Sequence, residues 1–79
     1  MLQHEELVPD AVVKLAFEDG MLPAKAWRTH LELTQVDVAL RMGISQSAYA
    51  QLESSEKLRK PSREKIAAAL GLSAGQLDF

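Results

Sequence analysis

Three features of the sequence predict an all-α fold. Apolar residues recur at helical spacing, and no stretch alternates with period two. The hydrophobic content, 47% of the chain, is mostly Ala, Leu and Val, with aromatics at only 5%; that suits helices packed through small side chains better than a β-sandwich. Proline, glycine and Ser/Thr residues stand where such helices would begin and end.

Taken in order, the elements follow from that punctuation. Residues 1–8 are polar. Pro9-Asp10 opens a helix with Val12, Leu15 and Ala16 at i, i+3 and i+4, and Gly20 stops it. Pro23 opens a second helix, to about Leu31, with Ala24, Trp27 and Leu31 on one face. Thr34 caps a third, where Asp37 at the third helical position completes a capping box and complements the helix dipole. This helix reaches about Met42, and Gly43 supplies its left-handed C-terminal residue. Ser45 caps a fourth helix, Gln46 to Glu53, with Tyr49 and Leu52 inward. A polar, basic loop runs from Ser54 to Pro61. Ser62 then caps a fifth helix, whose stripe of Ile66, Ala69 and Leu70 ends at Gly71, and Ser73 to Gln76 has capping-box spacing for a last turn carrying Leu77.

Size and composition bound the function. The 79 residues make one domain, and the chain has no cysteine for a disulfide or a thiolate metal site. No apolar run approaches the roughly 18 residues of a membrane span, and no signal peptide opens the chain, so the reading is a soluble cytoplasmic protein with no membrane partner. The net charge of −2 is unevenly spread. Residues 1–22 set Glu5, Glu6, Asp10, Glu18 and Asp19 against Lys14 alone. Within 41–65, Arg41, Lys57, Arg59, Lys60, Arg63 and Lys65 outweigh Glu53, Glu56 and Glu64. Such a cluster is often an ordinary solvated face; here it accompanies a motif that needs it.

That motif is the pair of helices 34–42 and 46–53, separated only by Gly43, Ile44 and Ser45. So short a turn cannot form an antiparallel hairpin and forces a steep crossing, as in a helix-turn-helix. Ala39 is small where the second helix approaches the first, and Gly43 permits the positive φ of the turn. Val38, Met42, Ile44, Tyr49 and Leu52 converge on one core. The outward residues of the second helix, Gln46, Ser47, Ala48 and Gln51, are small or amide-bearing and uncharged. A merely solvated face would carry Lys and Glu; this one suits entry into a DNA groove.

Residues 33–53, L-T-Q-V-D-V-A-L-R-M-G-I-S-Q-S-A-Y-A-Q-L-E, resemble the DNA-binding core of the Xre or phage-repressor-like helix-turn-helix family. The resemblance extends from about Lys25 to Leu77, through A-A-A-L-G-L-S at 67–73, and rests on the spacing of Thr34-Gln35, Ala39, Gly43, Ser45-Gln46 and Leu52-Glu53. It implies a five-helix repressor-like domain over 23–79, with its motif at 34–53, preceded by an acidic segment, 1–22, that carries an extra N-terminal helix. It further implies that Gln35 meets a phosphate at a helix N-terminus. Gln46, Ser47 and Gln51 would face the major groove, where a glutamine amide can pair with adenine N6 and N7. Arg41, Lys57, Arg59 and Lys60 would hold phosphates, and Arg28 and Glu53 match a partly buried structural salt bridge. The family often has Gly two residues after the Glu, where Ser55 stands here, and the loop that follows is about one residue longer.

The bland readings set the remaining residues aside. His4 and His30 have no partner at metal-ligand spacing, and no nucleophile–base set or Gly-rich phosphate loop is present, so neither a metal, a cofactor nor catalysis is expected. Trp27 reads as core before interface anchor. Tyr49 reads as core with its hydroxyl reaching the edge. The acidic segment ahead of A-W-R-x-H-L-x-L-T-Q resembles small Xre-type antitoxins, which neutralise a basic RelE/ParE-type toxin and repress their own operon. The expectation is therefore a DNA-binding transcriptional repressor, binding double-stranded DNA as a homodimer, with an antitoxin role implied by the resemblance. The rival is a protein-interaction module in which the helical domain is scaffold and residues 1–22 bind a basic partner.

Overall fold

The computed structural model describes residues 8–79; His4, Glu5, Glu6 and the rest of the polar opening lie outside them. Helix α1 spans Asp10–Phe17, α2 Pro23–His30, α3 Gln35–Met42, α4 Gln46–Glu53 and α5 Lys60–Leu70, and a 3₁₀ turn follows at Ala74–Leu77. No strand occurs among the described residues.

Local chemistry explains most of the boundaries. Thr34 and Asp37 form a reciprocal capping box: the Thr34 N–H donates to Asp37 Oδ2 at 2.8 Å, and the Asp37 N–H to Thr34 Oγ1 at 3.0 Å. These bonds hold the Asp37 carboxyl below its ordinary range. Ser45 Oγ accepts from the Ala48 N–H at 3.1 Å, capping α4. Gly43, at φ 71°, closes α3 while the Ile44 N–H reaches back to the Ala39 carbonyl at 3.0 Å.

Two boundaries differ from the sequence reading. Helix α5 begins at Lys60 instead of after Ser62, and no side chain caps it. Pro61 is the reason: its fixed φ and missing N–H suit the first helical turn, so the helix starts upstream and Ser62 falls inside it. Helix α2 ends at His30, one residue before the expected Leu31, and the left-handed residue that follows is not glycine. Glu32, at φ 59°, takes that conformation while the Leu33 N–H donates to the Arg28 carbonyl at 3.0 Å.

The packing order places the site. Helix α1 lies on α2, α5 packs against α3 and α2, and the 3₁₀ turn closes onto α5 and α2. Helix α4 packs chiefly against α3. The core is built from Val12, Ala24, Ala26, Trp27, Val38, Ala39, Tyr49, Ile66, Ala67, Leu70 and Leu77. Four alanines in it allow close helix approach, and Ala39, 2% exposed, is one of them. Trp27 is buried, with its indole N–H donating to the Gln76 carbonyl at 2.8 Å. Val12 on α1 is fully buried, so the acidic segment contributes to the same core as the motif.

Candidate nucleic-acid interface

The motif pairs α3 with α4 across Gly43–Ser45, and burial divides α4 cleanly. Tyr49 has no exposed surface and Glu53 only 4%, whereas Gln46, Ser47 and Gln51 are exposed. The outward face thus presents two amides and a hydroxyl, and no charge. Among the described residues no side-chain bond ties down Ser47 or Gln51, although the Ser54 hydroxyl donates to the Gln51 carbonyl at 3.1 Å and finishes the helix.

The inward end of α4 is bound tightly. Arg28 on α2 forks onto Glu53, with Nε donating to Oε2 at 2.6 Å and Nη2 to Oε1 at 3.0 Å. Its third donor, Nη1, reaches the Leu33 carbonyl at 2.9 Å. Gln35 Nε2 donates to Glu53 Oε1 at 3.0 Å. Burial pushes the Glu53 carboxyl upward, but these hydrogen bonds and the Arg28 charge outweigh it and hold the carboxyl below its ordinary range. A planar guanidinium is suited to this bidentate grip; a lysine is not. Helix α4 rests chiefly on α3, and the Arg28–Glu53 pair ties it to α2 as well.

Gln35, which the resemblance places at a phosphate, has its amide engaged within the protein. Its amide joins the buried pair to the outer face: Nε2 serves Glu53, and Oε1 accepts from Gln46 Nε2 at 3.3 Å. Gln35 thereby links the buried pair to the exposed start of α4. Tyr49 departs from its expected geometry. Its hydroxyl does not reach the edge but is sealed beside Arg28 and Glu53 without a hydrogen bond, and burial raises its ionisation well above that of a free phenol. The ring is needed to fill the α3–α4 crossing, and the helix direction carries its tip inward.

The basic residues do not form one patch. Lys57, Arg59 and Lys60 are exposed and consecutive in space along the loop and first turn of α5. Arg41 lies elsewhere, on the α3–α5 side, where its Nη1 donates to the Ala69 carbonyl at 3.1 Å and it lines a shallow cleft with Lys65. Lys25 is a residue the sequence reading passed over. It lines a cleft with Gln35, Ala50 and Ser54, beside the N-terminus of α3. The signal was available: Lys25 and Arg28 are three apart on one helix and so share a face. Among the described residues no group of His, Cys, Asp and Glu could hold a metal ion, and no helix is long and apolar enough to cross a membrane. His30 rests edge-on to Trp27, with ring centroids 6.0 Å apart.

The sequence model of the family described as helix-turn-helix matches residues 25–77. No curated protein and no solved structure matches the chain. With α3 and α4 packed together across a three-residue turn, an uncharged outward face and a family match over most of its length, the chain belongs to the helix-turn-helix family of DNA-binding domains.

Proposed function

We propose that this protein is a sequence-specific transcriptional repressor that binds DNA as a homodimer. The observation that carries the reading is the division of α4: an exposed, uncharged amide face opposite a buried, doubly anchored one. Gln46, Ser47 and Gln51 would read base edges, and Gln35, Lys57, Arg59 and Lys60 would meet phosphates, with Lys25 beside them. Arg41, bonded to α5, would join the phosphate set only at its outer edge. Arg59 and Lys60 add a physical argument. They stand at the start of α5, where the helix dipole disfavours cations, so they are better accounted for by a phosphate than by local stability. Dimeric binding follows from charge: a chain of net charge −2 supplies few phosphate contacts per subunit, and two subunits double them.

The test is selection of bound duplexes from a random-sequence pool at physiological salt. An enriched inverted repeat with half-sites about 34–36 Å apart is the expected result. No enrichment, with only weak salt-sensitive binding, would overturn the reading.

A second reading is favoured by the surface of α1. Phe17 is 75% exposed and is followed by the exposed acids Glu18 and Asp19. An apolar anchor flanked by carboxylates suits a basic protein partner, as the antitoxin resemblance implies. Deleting residues 1–22 would remove Val12 from the core and confound the test. Replacing Phe17 and Glu18 with alanine and serine leaves the core intact. In this reading those changes abolish binding of a basic toxin encoded beside the gene; unaltered binding would refute it.

A further inference from the structure

A cleft of about 330 Å³ lies away from the outward face of α4, between the start of α2, the loop after α4 and the C-terminal turn. Its apolar walls are Leu22, Pro23, Ala24, Leu58, Leu77 and Phe79. Arg63 of α5 lines the same space, and its Nε–H is buried with no hydrogen-bond partner. No other side-chain bond or ion pair of Arg63 occurs among the described residues. An orphaned guanidinium donor against an apolar wall is costly unless a ligand meets it.

The charges around the cleft narrow the ligand. Glu53 also borders it but is already held by Arg28 and Gln35. Of the rest, Lys57 and Arg63 balance Glu56 and Asp78, both of which are exposed. Counted this way the cleft is neutral, so an anion would be held by its contact with Arg63 and not by a surplus of positive charge. A second negative charge would lie uncompensated beside Glu56 and Asp78. The volume falls at the lower end of small-molecule sites, and such sites are mainly apolar with a few polar groups that fix orientation.

We propose that this cleft binds a small organic monocarboxylate with a compact apolar body, its carboxylate paired to Arg63 and its hydrocarbon part against Leu58 and Leu77. The site borders both Glu53 and Lys57, so an occupant would touch the anchor of α4 and the loop ahead of α5. Binding is independent of DNA, so its test does not depend on the reading above.

The experiment is a titration of the full chain, without DNA, followed by nuclear magnetic resonance. Benzoate and isovalerate are the probes, with benzamide and isovaleramide as uncharged controls. Saturable shifts of the Arg63 Nε–H and of the Leu58 and Leu77 amides are expected with the acids only. Arg63→Met, checked for an unchanged melting temperature, should weaken binding about tenfold or more, and Arg63→Lys should restore part of it. Three results would each overturn the proposal: non-saturating shifts, shifts spread over the surface, or equal binding of acids and amides. The Arg63 Nε–H signal is read in the unmodified protein, so a folding defect in a variant leaves the test intact.

Discussion

The two ends of α4 are held in opposite ways. At its start, Gln46 and Ser47 are exposed, and apart from the Ser45 cap only the 3.3 Å contact to Gln35 restrains them. At its end, Glu53 is 4% exposed and takes three hydrogen bonds, two from Arg28 and one from Gln35. The contrast separates two duties. The helix is anchored at its buried end, so substitutions on the outward face need not disturb its placement. Among the described residues, Gln35 is the only side chain bonded to both ends.

The largest expected effect comes from breaking the anchored end. Glu53→Ala leaves Arg28 buried without its partner and should cost about 3–5 kcal/mol, measured by urea denaturation. For a domain this small that is a large part of the total stability. A loss below about 1 kcal/mol would mean that α4 is held by apolar packing alone.

Acid should reproduce that break gradually. The Glu53 carboxyl is depressed in the folded protein, so it binds its proton more readily once unfolded. Its contribution is complete above the unfolded value, about pH 4.3, and is lost as pH falls through the lower folded value. Thermal melts from pH 7 to pH 3 should show the gap between the parent protein and Glu53→Gln narrowing below about pH 4. A constant gap would place the acid sensitivity elsewhere, Asp37 being the other depressed carboxyl.

Changes at the exposed end should alter recognition and leave the fold alone. Gln46→Ala is expected to lose about 1–3 kcal/mol of discrimination at one base position, with non-specific binding nearly intact. Lys60→Ala should weaken all sequences alike and reduce the salt slope by about one unit. Equal behaviour of the two variants would erase the distinction between reading and holding.

The smallest effect sharpens the anchored end. Glu32 holds a left-handed conformation that presents the Leu33 carbonyl to Arg28. Glu32→Gly relieves about 1–2 kcal/mol of left-handed backbone strain at φ 59°, less about 0.4–1 kcal/mol for the freer unfolded chain, and should stabilise the protein by about 0.5–1 kcal/mol. Destabilisation in the melt would show that the Glu32 side chain has a duty of its own.

Much of this was legible because it is local. Thr34 with Asp37, Gly43 and Ser45 fix the ends of α3 and α4 through bonds that span three to five residues, so the sequence announces them. The inward set Val38, Tyr49 and Leu52 follows from helical periodicity in the same way. The start of α5 was misread because Ser62 is a good cap in isolation, while Pro61 one residue earlier favours the first turn more strongly. The end of α2 carried no glycine to mark it.

By itself, then, the sequence determined an all-α chain, the short turn that joins α3 to α4, and an uncharged outward face at Gln46, Ser47 and Gln51. Those properties depend on spacing, capping and residue type, which neighbours along the chain specify. Tertiary structure alone decided that Val12 brings the acidic segment into the core and that Gln35 turns its amide to Glu53 and Gln46. It also separated Arg41 from Lys57, and buried the tip of Tyr49 and the Nε–H of Arg63. Each of these depends on which helix faces which, and groups 11 to 28 residues apart meet only when the helices have packed.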